Sequence, residues 1–263
     1  MADKRAILVE REGPIGWIRI NRPERLNSFA GSMRAELEKG LTEFEENSAV
    51  RCVVITGVGR AFSTGGDMQL MAELAERGDT ITFDELVATG ARIVRKIDRM
   101  AKPVIAAVNG PAAGAGACLA LAADLRIASE TASIGFNFLR VGLHPDWGGS
   151  YFLPRLVGPG RAAEMMLTGG MISAERAERL GIYSRVVPAA ELEPAARDLA
   201  RQIAAGPVRL IAATKQSLRQ SLDRSLDEML ELECAAQREA FHAPEFKEGI
   251  TAFLEKRAPR FAR

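Results

Sequence analysis

The sequence contains few of the residues from which metal, disulfide and redox sites are built. Among 263 residues there are 3 cysteines and 2 histidines. Cys52, Cys118 and Cys234 are widely separated and odd in number, so a disulfide framework is not expected. No cluster of histidine, cysteine and acids has metal-ligand spacing, and Gly-x-Gly-x-x-Gly and Walker motifs are absent from the sequence. We therefore predict no metal, no redox cofactor and no nucleoside triphosphate.

Long apolar runs and an excess of charge of one sign are also missing. No apolar run approaches the roughly 20 residues that cross a bilayer, and charges occupy the N-terminal stretch where a signal peptide needs an apolar core. The formal net charge is +1, so no overall charge attracts the chain to nucleic acid. We predict a cytoplasmic protein without a membrane partner, for which a nucleic-acid partner is not expected. The 47% of hydrophobic residues are enough to form a sizeable core.

Strand and helix patterns alternate in the first part of the chain. Two β-rich runs, 7–9 and 15–20, flank residues 11–14, which predicts a hairpin with a loop somewhat longer than two residues. Helical spacing then alternates with compact apolar strands, in the order 33–44, 53–55, 83–100 and 104–108. Strands that are apolar throughout indicate a mostly parallel sheet buried on both faces, and hence an α/β fold.

The chain becomes mainly helical after Gly158. One β-like stretch, 184–187, interrupts the helical patterns, and residues 188–194 are the expected joint. We therefore predict an α/β core at 1–190 and a helical region at 191–263.

Two glycine-rich turns, 60–68 and 109–117, each follow an apolar strand and precede a helix. The first amide groups of a helix lack intrahelical partners and suit an anion, or an oxygen that becomes one during a reaction. In open α/β folds, ligands bind beyond the carboxyl ends of the strands, where both turns fall. We expect the two turns to form one site.

Several motifs, in this order, resemble those of the enoyl-CoA hydratase/isomerase, or crotonase, family. They are NRPERLN at 21–27, AFSTGGD at 61–67, the stretch from NG at 109 to Asp124, LPRLVG at 153–158 and FKEG at 246–249. The resemblance implies a crotonase-like spiral of ββα units and an acyl-CoA substrate, with no cofactor beyond coenzyme A. It also implies that the helical C-terminal part builds homotrimers or hexamers.

The resemblance also implies roles for individual residues. Backbone N–H groups of Thr64 and Ala115 would polarise the thioester carbonyl. Arg25 or Lys256 would suit the phosphates of coenzyme A, and Lys256 would, as in the family, serve a neighbouring protomer's site. The full set of implied coenzyme A positions is Glu24, Arg25, Leu26, Ala61, Gly65, Gly66, Asp67, Met68, Phe253 and Lys256.

The sequence departs from the family pattern at two positions. Family hydratases use two glutamates to add water, and the matching positions hold Cys118 and Phe138, neither of which is a carboxylate. Hydration by that mechanism is therefore not expected. We predict instead that Cys118, Phe138 and Trp147 line the acyl pocket. Asp67, at the start of a helix, is expected to cap it, and Asp124 is expected to be structural.

Asp146 is the remaining acid of the central stretch, at a position where isomerases of the family often carry one. A single carboxylate beside an oxyanion hole can remove a proton from one carbon and return it to another, if burial raises its pKa toward neutrality. We predict an acyl-CoA isomerase of this kind. Two other roles of Asp146, as a nucleophile or as a helix cap, remain open. Three other functions of the protein also remain open: a hydratase, a ring acyl-CoA isomerase or hydrolase, and a non-catalytic paralogue that binds acyl-CoA or RNA.

Overall fold

The computed structural model describes residues 5–261 as an α/β fold with two sheets. The strands are β1 Ile7–Glu12, β2 Ile15–Ile20, β3 Cys52–Gly57, β4 Val104–Val108, β5 Ala112–Ala113, β6 Leu125–Ser129, β7 Ser133–Gly135, β8 Met171–Ser173 and β9 Arg185–Val187. The main sheet has the order β1-β2-β3-β4-β6-β9, and a small sheet has the order β5-β7-β8. All pairs of the main sheet except β1–β2 are parallel, which confirms the expected sheet type.

The helices match the predicted segments to within a few residues. They are α1 Met33–Glu46, α2 Met68–Arg77, α3 Thr80–Arg99, α4 Ala115–Ala122, α5 Gly149–Val157, α6 Pro159–Thr168, α7 Ala174–Arg179, α8 Leu192–Ala204, α9 Val208–Gln220, α10 Leu226–His242 and α11 Pro244–Leu254. Within residues 5–261, no helix is long and apolar enough to cross a membrane.

The predicted hairpin is confirmed, but its loop is shorter than expected. Glu12 of β1 pairs with Ile15 of β2, so only Gly13 and Pro14 connect the strands. Gly13 has φ +57°, a backbone conformation that glycine adopts without steric cost. The prediction of a longer loop was wrong because cross-strand pairing extends β1 into its charged end.

Both faces of the main sheet are buried, as the continuous apolar strands predicted. Along β3, Val53 and Ile55 join the larger core with α1, α3 and α4, whereas Cys52 and Val54 pack with α8. Successive side chains of a strand point to opposite faces, so an all-apolar strand needs a cover on each. Helix α8 supplies the second cover, although the predicted division at 190/191 assigns it to the C-terminal region.

Helix α9 is attached to the core through a buried lysine. The Lys215 Nζ donates to the carbonyl oxygens of Ile97 (2.9 Å) and Lys102 (3.1 Å) and pairs with Asp124 at 2.9 Å. Arg219, one turn later on α9, also pairs with Asp124 at 2.9 Å. The structural role expected for Asp124 is therefore confirmed, and its partners are basic residues distant in the sequence.

Candidate active site

A cavity of about 850 Å³ lies beside both glycine-rich turns. We call it the central cavity. Ten residues assigned to the site from the sequence line it: Glu24, Arg25, Leu26, Thr64, Gly66, Asp67, Met68, Ala115, Phe138 and Asp146. The structure thus brings together residues from five separate segments of the chain.

The two glycine-rich turns interlock. Ser63 forms a parallel bridge with Ala112, and the Ala113 N–H donates to the Ser63 carbonyl oxygen at 2.9 Å. Gly65 has φ +88°, and a Cβ there would lie 3.0 Å from the Ala115 nitrogen and 2.9 Å from the Ala113 oxygen. Only glycine permits this approach, which places the amides of Thr64 and Ala115 in the same cavity wall.

The two expected oxyanion donors differ in their present partners. Ala115 is the first residue of α4, so its N–H has no intrahelical acceptor. Every residue of α4 is buried, so the positive end of its dipole acts away from water. The Thr64 N–H, in contrast, donates to the Leu26 carbonyl oxygen at 3.2 Å. An incoming oxygen would therefore accept a hydrogen bond from the Ala115 N–H, and it would share the Thr64 N–H with the Leu26 carbonyl oxygen.

Asp146 lines the cavity and has one carboxylate oxygen that lacks a hydrogen-bond partner. Its Oδ1 atom is buried without a hydrogen-bond partner. Burial raises the pKa of Asp146 to about 6, although the Arg34 guanidinium, the residue's own backbone N–H and His144 act to lower it. Helix α5 begins at Gly149 after Gly148, with no side-chain cap. The capping role left open for Asp146 is therefore not what this side chain does.

The three residues predicted to line an acyl pocket are placed differently from one another. Phe138 is in the cavity wall. Cys118 is fully buried, with its sulfur against Gly149, and burial raises the pKa of its thiol well above the ordinary value. Trp147 is also buried, and it stacks on Phe29 with ring centroids 5.1 Å apart. The structure corrects the placement of Cys118 and Trp147, because both pack into the core behind the wall.

The implied coenzyme A positions also separate into two groups. Asp67 accepts hydrogen bonds from the Gln69 and Leu70 amides, which confirms it as the cap of α2, and it pairs with Arg22. Ala61 and Gly65 are buried outside the wall of the cavity. Phe253 and Lys256, at the end of α11, are exposed and not part of that wall either.

Several residues of the wall were not predicted from the sequence. Arg60 joins Arg25 as an exposed cation at the cavity, and neither forms an ion pair with a carboxylate of residues 5–261. The apolar side has contributions from Met71, Phe83, Leu86, Val87, Val141 and Leu143. The helix predicted at 83–100 contributes Phe83, Leu86 and Val87 to this wall, which its helical spacing alone did not indicate.

Arg34 is the most informative of the missed residues. It follows Met33 in α1, whose pattern suggested one apolar and one charged face, yet Arg34 is only 6% exposed. A signal was present, because Arg34 lies three residues before Leu37 and seven before Leu41, on the stripe that faces the core. The structure places its guanidinium in the wall of the central cavity with Asp146.

Comparison with known proteins agrees with this architecture. A sequence model of the enoyl-CoA hydratase/isomerase family matches residues 10–263. The chain is 39% identical over 256 residues to a 1,2-epoxyphenylacetyl-CoA isomerase of Escherichia coli, with 97% of each chain covered. It is 35% identical to a crotonyl-CoA hydratase of Syntrophomonas wolfei, again with 97% of each covered. The crystal structure of an enoyl-CoA hydratase from Polaromonas sp. JS666 superimposes with a TM-score of 0.93 at 32% identity, covering 98% of this chain and all of that one (100%).

The fold and the interlocked turns define a crotonase-fold enzyme. The chain belongs to the enoyl-CoA hydratase/isomerase family, for which an acyl-CoA thioester is the expected substrate. The relatives carry the names of both an isomerase and a hydratase, so the names do not select the reaction.

Proposed function

We propose that this enzyme shifts a carbon–carbon double bond in an acyl-CoA thioester, with Asp146 as its single acid–base group. The observation that carries the proposal is the buried, unpartnered carboxylate oxygen of Asp146, in the same cavity wall as the amides of Thr64 and Ala115. An isomerase needs these two elements: a group that moves a proton, and donors for the oxygen that becomes negative.

The reaction has two proton transfers. The thioester oxygen accepts hydrogen bonds from the Ala115 and Thr64 amides, while the Asp146 carboxylate removes a proton from C2 of a 3-enoyl thioester. The electrons of the C2–H bond move to the thioester oxygen and give a dienolate. The protonated Asp146 then returns the proton to C4, which forms the 2-enoyl product and restores the carboxylate. One oxyanion donor typically contributes about 2.7–4 kcal/mol to transition-state stabilisation.

The other acids of the cavity support a one-acid reaction. Glu24 is exposed, and Asp67 is occupied by its cap and by Arg22. The hydratase positions hold Cys118, a buried thiol, and Phe138, an aromatic ring. Within residues 5–261, Asp146 is the one cavity-lining carboxylate with a buried oxygen that lacks a partner. A mechanism with two carboxylates therefore has no second acid to use.

We also propose which residues bind coenzyme A and which surface forms contacts between protomers. The unpaired cations Arg25 and Arg60 suit its phosphates. The C-terminal helices expose large apolar side chains, which suit contacts between protomers of a trimer or hexamer. They include Leu226, Leu230, Phe241, Phe246, Ile250, Phe253 and Leu254. Such contacts would bring Phe253 and Lys256 to a neighbouring protomer's coenzyme A, in line with their distance from the central cavity of their own chain.

A panel of thioesters tests the proposed reaction. We expect conversion of 3-hexenoyl-CoA to 2-hexenoyl-CoA, and little addition of water to crotonyl-CoA, both followed by chromatography of the products. Faster hydration than isomerisation would overturn the proposal and favour a hydratase that uses Asp146 with water. Coenzyme A binding without turnover of any thioester would also overturn it, in favour of a non-catalytic paralogue.

The pH dependence of isomerisation should report the ionisation of Asp146. The base form is the carboxylate, and its pKa is about 6, so kcat/KM should fall about tenfold per pH unit below pH 6 and level off above it. Arg34 from α1 and His144 from its own loop both act to lower the pKa of this carboxyl. Rates measured after return to pH 7.5 control for unfolding. A flat profile between pH 4.5 and 7.5 would contradict the assignment.

A further inference from the structure

Arg34 brings a buried positive charge with unused donors into the central cavity. Its side chain is 6% exposed, and its Nε atom is buried without a hydrogen-bond partner. The guanidinium makes one long hydrogen bond, from Nη1 to the Phe29 carbonyl oxygen at 3.4 Å, and lies over the Phe29 ring, with Cζ 5.6 Å from the ring centroid. A guanidinium has five N–H donors, so most of its capacity is unused.

Asp146 does not satisfy these donors. The two side chains line the same cavity, but they form neither a hydrogen bond nor an ion pair, and an oxygen of Asp146 is itself buried without a partner. Two buried charges of opposite sign that lack hydrogen-bond partners lower the stability of a folded protein. Such a cost is offset when a bound molecule supplies the missing partner.

We propose that Arg34 is a specificity-determining residue that donates hydrogen bonds to an oxygen on the acyl group. Arginine only donates, so its partner must be an acceptor, such as an ether, epoxide, hydroxyl or carbonyl oxygen. The preferred substrates are then acyl-CoA thioesters whose acyl part carries an oxygen, in addition to the thioester oxygen held by the Ala115 amide. This inference rests on the proposed function only in taking an acyl-CoA as the ligand. It does not depend on which reaction the enzyme catalyses.

The test compares the binding of thioesters that have the same shape. In 5-methoxypentanoyl-CoA and 6-hydroxyhexanoyl-CoA, an oxygen replaces one carbon of heptanoyl-CoA, and none of the three has a double bond to isomerise. We expect the wild-type enzyme to bind at least one oxygen-bearing thioester about tenfold or more tightly than heptanoyl-CoA, by titration calorimetry. Tighter binding of heptanoyl-CoA than of both others would overturn the proposal.

The variant Arg34→Met removes the donors and keeps the length of the side chain. We expect it to lose the preference for the oxygen-bearing thioester while binding heptanoyl-CoA within about threefold of the wild type. An equal loss for all three thioesters would instead indicate that Arg34 only supports the shape of the site. The wild-type comparison does not depend on this variant, so the proposal stays testable if Arg34→Met does not fold.

This experiment separates the inference from the proposed reaction. Binding of saturated thioesters does not require proton transfer, so a failure of isomerisation would leave the preference measurable. Conversely, an enzyme that isomerises 3-hexenoyl-CoA but shows no preference for oxygen would retain the proposed function and lose this inference.

Discussion

The variant Asp146→Asn is expected to lose isomerisation by about 10²–10⁴-fold in kcat, the range over which positioned acid–base groups contribute. Asparagine has nearly the same shape as aspartate but cannot accept the proton from C2. The amides of Thr64 and Ala115 and the cations Arg25 and Arg60 are unchanged, so binding of a saturated acyl-CoA should remain within a few-fold of the wild type. Stopped-flow assays of 3-hexenoyl-CoA and titration calorimetry measure the two effects separately.

The control is Asp198→Asn, the same chemical change at an exposed position of α8 outside the cavity wall. It should leave kcat unchanged. Isomerisation by Asp146→Asn at the wild-type rate would show that another group moves the proton. A covalent adduct trapped on Asp146 by mass spectrometry would instead favour the nucleophilic role that the sequence left open.

The variant Gly65→Ala is expected to reduce kcat by about 10²–10³-fold, as the loss of one oxyanion donor does elsewhere. A methyl group at this position would lie 2.9 Å from the Ala113 oxygen and 3.0 Å from the Ala115 nitrogen. The two turns must separate to admit it, and the Thr64 and Ala115 amides then no longer converge on one oxygen. The measurement is single-turnover isomerisation at a temperature well below unfolding.

The control is Gly78→Ala, at the end of α2. Gly78 also has a positive φ, +61°, but a Cβ there meets nothing within 4 Å. Both variants bear the backbone strain of alanine in the left-handed region, about 1–2 kcal/mol, and only Gly65→Ala adds the collision. An equal effect of both variants on kcat would mean that strain alone, rather than the distance between the turns, controls activity.

These expectations concern the difference between this chain and relatives named as hydratases. Under the proposed function, the interlocked turns would supply the oxyanion donors for either reaction, because both reactions pass negative charge to the thioester oxygen. The acids decide between them. With a thiol at Cys118 and a ring at Phe138, Asp146 is the one carboxylate that the proposed reaction uses. A glutamate at 118 would replace a buried thiol whose sulfur lies against Gly149.

The sequence alone determined the elements whose signals are local. The apolar run of β3 and the helical spacing of α1 follow from side-chain periodicity, and the glycines of the two turns follow from steric limits on the backbone. The resemblance to the family motifs, rather than these local signals, assigned Thr64 and Ala115 as oxyanion donors and predicted the crotonase fold. The absence of the two hydratase glutamates also follows from that resemblance, because the matching positions hold Cys118 and Phe138.

Only the tertiary structure decided which side chains face the cavity. Cys118 and Trp147 are close in sequence to wall residues but pack into the core, whereas Arg34, on the buried stripe of its helix, lines the cavity. The pairing of Lys215 with Asp124 joins residues far apart in the chain. Burial and the direction of a side chain depend on what packs against it from other elements, and that packing exists only after the chain has folded. For the same reason the raised pKa of Asp146, which suits it to move a proton, is a property of the fold.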